Sequence, residues 1–168
     1  MAAEERTIVL EHDRIQRKLR RIAFRIYEDH VHESGIVLVG VAPRGSKLAD
    51  RLKRLLEEIS PLKIDLLELA LEKATPLHGP VRLERGNVDL DGRAVVLVDD
   101  VVMSGRTLMH AAAHLLSSPV KRLTTVVLVD RLHRAYPIRA DIVGLTLSTT
   151  LQEHISVELG RKDTVYLT

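Results

Sequence analysis

The chain has 168 residues, 45% of them hydrophobic and 29% charged, with a formal net charge of +2. That is globular composition, long enough for one domain over residues 1–168 and too short for two. Having no cysteine, it excludes disulfide scaffolds, thiolate nucleophiles, cysteine-ligated zinc and iron–sulfur centres. Its longest apolar run, residues 94–98, falls far short of the roughly 18 residues of a membrane span. Glu4 and Glu5 stand where a secretory leader carries basic residues, so the expectation is a cytoplasmic protein with no membrane partner.

Residues 7–10 form a short strand-like run. Across 11–32 the apolar residues Ile15, Leu19, Ile22 and Ile26 step by three and four, which predicts an amphipathic helix. Residues 36–40 predict a buried strand closed by the Pro43-Arg44-Gly45 turn, and 46–59 a second helix with Leu48, Leu52, Leu55, Leu56 and Ile59 inward. A further strand is predicted over 63–70. Residues 74–90 carry Pro76, Gly79, Pro80 and Gly86 with little periodicity, as a loop or long hairpin does. Residues 94–98 predict a fully apolar strand that stops on Asp99 and Asp100. Gly105 lies in the next turn, and helical spacing resumes over 106–117. Strands are predicted at 123–129 and 141–147, and short ones at 155–159 and 164–167. Strands alternating with helices predict an α/β fold with a mainly parallel twisted sheet flanked by helices.

Ligands of open α/β sheets collect at the carboxyl ends of the strands. The run Val95-Val-Leu-Val-Asp99-Asp100-Val-Val-Met103-Ser104-Gly105-Arg106-Thr107 has the form of such a site. Backbone N–H groups of the turn, with the Ser104 and Thr107 hydroxyls, can wrap a phosphate at a helix N-terminus. Two carboxylates repel phosphate and suit sugar hydroxyls, or water around a magnesium ion. The plain alternative is an acidic strand end with Ser104 or Thr107 capping the next helix.

Residues 95–107 resemble the phosphoribosyl-diphosphate signature of type I phosphoribosyltransferases: an apolar strand, two acids, then Thr/Ser-Gly-x-Thr. The run from Leu128 to Gly144, with Val-Asp-Arg-x-His-Arg and Pro-Ile-Arg-Ala-Asp, is similar to the pyrimidine operon regulator/uracil phosphoribosyltransferase group. The N-terminal helix and Gly40-Val-Ala-Pro-Arg-Gly45 fit the same group, and the likeness spans residues 11–167. It implies the type I phosphoribosyltransferase fold with a small hood. It also implies transfer of the phosphoribosyl group of phosphoribosyl diphosphate (PRPP) to a nucleobase, magnesium (Mg2+) carried with PRPP, and a homodimer or homotetramer. Residue by residue, Asp99 and Asp100 would hold the ribose hydroxyls and reach magnesium only through water. Met103, Ser104, Gly105, Arg106 and Thr107 would bind the 5′-phosphate. Pro43, Arg44 and Gly45 would form the diphosphate loop, with charge from Arg44, close backbone approach at Gly45 and a non-proline cis peptide at Pro43–Arg44. Asp99, Asp100 and Arg44 are then the catalytic candidates, and residues 74–92 a candidate lid, beside the plain reading of a surface hairpin.

Purine-type relatives carry an acid at the Met103 position and a lysine at the Asp130 position. This chain has neither, which points to a pyrimidine or an undetermined base; the resemblance implies uracil as the base and UMP as the product. It departs from the pyrimidine group as well. Met103 replaces an aromatic, a Tyr-Arg-Asp-Asp-like lid is absent, and Leu145-Thr-Leu-Ser-Thr-Thr150 replaces Lys-Asn-Ile-Pro-Thr-Ser.

A second class of function is RNA binding. Residues 14–25 hold six basic side chains and no acid, and Arg14, Lys18, Arg21 and Arg25 recur at helical spacing. Arg131, His133, Arg134 and Arg139 add a second cluster. Such a stripe can track phosphates, or it is simply a solvated helix face. The resemblance favours a leader RNA, giving the alternative of a nucleotide-sensing attenuation regulator with little or no turnover. His110 and His114 share a helix face, but Ala111 stands where a metalloprotease needs its glutamate.

Overall fold

A computed structural model of the chain describes residues 6–72, 79, 81–84 and 87–168. In chain order it contains β1 (Thr7–Leu10), α1 (His12–Asp29), β2 (Gly35–Val41), α2 (Arg44–Ile59), β3 (Lys63–Ala70) and β4 (Arg82–Glu84). There follow β5 (Ala94–Val102), α3 (Arg106–Leu115), β6 (Arg122–Asp130), β7 (Ile142–Thr146), β8 (Ile155–Glu158) and β9 (Thr164–Leu167). Six strands form the main sheet in the order β4-β3-β2-β5-β6-β7. All its pairings are parallel except β3–β4.

Alternate residues of the central strands serve opposite faces, as the pleat requires. Ile36, Leu38, Val96, Val98, Val126 and Leu128 pack with Ile15, Leu19 and Ile22 of α1 and Leu48, Leu52 and Leu56 of α2. Val37, Val39, Val95, Leu97 and Val127 pack with Leu108, Ala111 and Leu115 of α3. Each face therefore has its own apolar core, and the near-continuous apolar run of β5 follows from burial on both sides. Truncating a fully buried residue such as Leu97 to alanine costs about 2–5 kcal/mol.

A second sheet, in the order β1-β9-β8 and wholly antiparallel, makes the hood. It is fastened to the helices through Asp163, which is fully buried. The Asp163 carboxylate accepts from Gln16 at 2.6 Å and pairs with Arg51, and the Asp163 amide donates to His12 Nδ1 at 3.0 Å.

Three sequence expectations are corrected here. The strand carrying Asp99 and Asp100 does not stop on them but runs to Val102, because Val101 and Val102 keep their pairing with β6. The second helix begins at Arg44 rather than 46, so Arg44 and Gly45 belong to its first turn. The cis peptide bond is Ala42–Pro43, one bond before the expected Pro43–Arg44 and at an X-Pro position. Part of the expected lid (residues 74–78, 80, 85 and 86) lies outside the described residues. Within the same stretch, β4 pairs with β3, and Leu83 and Val88 pack on the α3-side core.

Candidate functional site

The carboxyl end of β5, the turn into α3 and the start of α2 enclose a cavity of about 210 Å³. Arg44, Asp99, Asp100 and the whole turn from Met103 to Thr107 line it, with Ile155 reaching in from the hood. The structure thus brings together residues that are about 55 positions apart in sequence. Pro43 lines a larger groove of about 710 Å³ along α2 instead. Neither acid nor any residue of the 103–107 turn lines that groove, so the smaller cavity is the candidate site.

Both acids are buried, Asp99 at 2% and Asp100 at 4% exposure. Asp99 Oδ1 accepts the Asp100 backbone N–H at 2.9 Å, which fixes one carboxylate relative to the strand. Gly45 is glycine because nothing larger fits: a Cβ there would lie 2.6 Å from the Val98 carbonyl oxygen and 3.1 Å from Asp99 Oδ1. The close approach expected of Gly45 is therefore an approach to β5, and it seats the first turn of α2 beside the acids.

The turn from Met103 to Thr107 is built as its sequence suggests. Gly105 caps α3 at φ 84°, a left-handed conformation that glycine adopts readily. Ser104 Oγ accepts from the Arg106 N–H at 3.2 Å, and the Gly105 carbonyl accepts from Met109 at 2.8 Å. A Cβ on Gly105 would meet Ile138 Cγ2 at 2.7 Å. Its missing side chain makes room for the 131–140 segment and not for a phosphate.

Arg134 ties that segment to the turn. Its guanidinium donates to the Met103 carbonyl at 2.8 Å and the Ile138 carbonyl at 2.7 Å, and pairs with Asp130 at 2.7 Å. Arg131 is buried and donates to Thr149 Oγ1 at 3.0 Å, the Thr150 carbonyl at 3.2 Å and the Glu153 carbonyl. His133 contacts the Thr149 carbonyl through Nε2. The Thr150 amide donates to the Glu153 carboxylate, and the Thr150 hydrogen bonds hold that carboxyl below the usual glutamate value. Most of the second basic cluster is therefore internal wiring, contrary to the expectation that Arg134 faces RNA; Arg139 is exposed. Between these anchors Leu132 adopts φ 65° and remains 55% exposed, a conformation that residue type rarely takes.

The basic stripe of α1 is also partly engaged. Lys18 Nζ donates to the Gly144 carbonyl at 3.0 Å, and Arg21 donates to the Val143 and Gly144 carbonyls, each at 3.0 Å. Arg25 pairs with Asp29 at 3.3 Å. Arg14, Arg17, Lys18 and Arg21 nevertheless line one cavity of about 260 Å³ that no acid lines. Burial, then the charges of Arg21 and Arg14, hold the Lys18 ammonium below the usual lysine value. Sequence reasoning missed the carbonyl anchors on β7 and missed Ile155, since neither has a local signal. Among the described residues no helix is long and apolar enough to cross a membrane.

The phosphoribosyl transferase domain model matches residues 5–162. The bifunctional protein PyrR of Haemophilus ducreyi is 33% identical over 94% of this chain and 92% of its own length. The Streptomyces coelicolor PyrR is 40% identical over 95% and 86%. In structure, the hypoxanthine phosphoribosyltransferase of Trypanosoma cruzi superposes with a TM-score of 0.77 at 20% identity, covering 89% of this chain and 84% of that one. That likeness carries the type I phosphoribosyltransferase fold alone. With the family model matched over most of the chain and PyrR relatives above 30% identity, this chain belongs to the phosphoribosyl transferase domain family and, within it, to the PyrR group.

Proposed function

We propose that this chain transfers the phosphoribosyl group of PRPP to uracil, giving UMP and diphosphate. The observation that carries the reading is the single cavity in which two buried carboxylates, a phosphate-wrapping turn and Arg44 meet. The turn from Met103 to Thr107 receives the 5′-phosphate through backbone N–H groups at the start of α3. Asp99 and Asp100 accept the ribose hydroxyls, and Arg44 faces the diphosphate. The C1–O bond to diphosphate breaks as the N–C1 bond to uracil forms, and the uracil N–H proton is lost. Positive charge develops on the sugar ring, so the two carboxylates favour the transition state over the ground state.

Two adjacent carboxylates fit a magnesium ion held mostly by water and by the substrate's own oxygens. A bound ion neutralises charge on the diphosphate as it leaves. Uracil is favoured over a purine because Met103 puts no acid in the cavity and Asp130 is paired with Arg134.

The test is diphosphate release with each nucleobase in the presence of PRPP and magnesium. Release with uracil and not with hypoxanthine or guanine is expected; release with a purine alone overturns the base assignment. A second reading, RNA binding through α1, is favoured by its all-basic cavity. Electrophoretic titration with a leader RNA at rising salt checks it, a flat salt response counting against it.

A further inference from the structure

Arg44 lines two cavities. One is the candidate site; the other, of about 370 Å³, lies between the first turn of α2 and the β8–β9 hairpin. That volume falls in the about 300–1,000 Å³ range of small-ligand sites. Three cations line it: Arg44, Lys47 and Lys162. None of their side chains has a hydrogen-bond or ion-pair partner among the described residues. The cavity's one carboxylate, Glu158, is taken by Arg6 at 3.0 Å. The first turn of α2 holds no acid either. Three like charges around one concave surface repel each other, and a multiply charged anion relieves that repulsion.

We infer that Lys47 and Lys162, in the second cavity lined by Arg44, hold the diphosphate group, as part of PRPP and again as free product. The inference rests on the phosphoribosyltransferase reading and adds two binding residues to it. Lys47 follows the diphosphate loop by one helical turn, so it reaches the same side as Arg44. Lys162 comes from the hood hairpin, which Asp163 fastens to α1 and α2. The hood is therefore part of the leaving-group site as well as a cover. Lys47 also lines the larger groove along α2.

The experiment is calorimetric titration of the full chain with three probes: inorganic diphosphate with magnesium, PRPP with magnesium, and UMP. Lys47→Ala and Lys162→Ala are each expected to bind diphosphate and PRPP about three- to tenfold more weakly, with UMP affinity unchanged. Each alanine variant is expected to raise KM for PRPP while kcat holds, and Lys162→Arg to restore the loss. If wild type binds diphosphate and both alanine variants bind it equally well, the cations are a solvated face and the inference falls. A drop for UMP equal to that for diphosphate overturns it too, since UMP carries no diphosphate. A wild type that binds none of the three probes overturns the phosphoribosyltransferase reading itself.

Discussion

The turn from Met103 to Thr107 and the basic face of α1 are both suited to anions, but they are made differently. The turn offers backbone N–H groups and hydroxyls, held by Gly105 in a left-handed conformation and by Arg134 donating to the Met103 carbonyl. Arg106 is its one full charge, and its geometry is fixed. The α1 face offers full positive charges, yet Lys18 and Arg21 already donate to β7 carbonyls while Arg14 and Arg17 have no partner among the described residues. A cation in a sequence is thus not automatically a cation available to a ligand. Fixed dipoles select one phosphate position, whereas loosely held charges attract phosphates in general.

The sharpest way to break the comparison is at Gly105. Gly105→Ala adds a Cβ at φ 84° and 2.7 Å from Ile138 Cγ2, and Gly105→Val adds more. Either is expected to weaken UMP and PRPP binding by about 100-fold or more, since the conformational cost alone is about 1–2 kcal/mol and the turn must also shift. Adding Ile138→Ala removes the clash but not the strain, so it should restore only part of the affinity in a calorimetric titration. Normal binding by Gly105→Ala would place the phosphate elsewhere.

Next in size is Asp100→Asn, which keeps shape and removes charge. Turnover is expected to fall about 10²–10³-fold with a much smaller change in PRPP affinity. Asp99→Ala should weaken binding as well. Wild type should bind 2′,3′-dideoxy-UMP at least about tenfold more weakly than UMP, and equal binding would mean that the carboxylates do not read the sugar.

The α1 face separates into two kinds of charge. Arg14→Ser with Arg17→Ser should reduce the slope of log affinity for single-stranded RNA against log salt by up to about 1.4, with stability changed by no more than about 0.5 kcal/mol. Lys18→Ser should instead lower stability by about 0.5–1 kcal/mol in a denaturant titration, because the Gly144 carbonyl loses one of its two donors and keeps Arg21.

The smallest effect concerns the Lys18 ammonium. Its folded-state pKa lies below the unfolded one, through burial first and then Arg21 and Arg14. The unfolded chain therefore binds more protons between the two values, and stability rises with pH across that window. The unfavourable contribution is fully present below the folded pKa and gone above the unfolded one. Arg14→Ser should raise the Lys18 pKa seen by NMR, and an anion seated among these cations should raise it further.

The parts of the molecule legible in the sequence were those with local causes. Ile15, Leu19, Ile22 and Ile26 marked α1 because helical burial repeats every three to four residues, and all are buried. The acids and the Ser104–Gly105 turn were legible because strand, turn and helix lie within 13 residues. Arg131 and Arg134 read in the sequence as one basic cluster, whereas the fold engages both with internal partners. Their partners at Met103 and 149–153 are set by tertiary contacts that leave no trace in spacing. Lys47 and Lys162 were not visible as a pair for the same reason, since only the folded hairpin brings residue 162 to the start of α2.

The hood sheet places β9 between β1 and β8, with Thr7 opposite Leu167. During synthesis β1 must wait until β9 has been made before it can pair. Meanwhile β2, β3, β5 and β6 can add to the main sheet with their own connecting segments in hand. The barrier from long loop closure thus falls on the hood. Ile155 on β8 lines the candidate site and Lys162 lies in the following hairpin. A nascent chain therefore displays the turn from Met103 to Thr107 before it owns the hood wall beside it, so the candidate cavity closes only after the main sheet has formed.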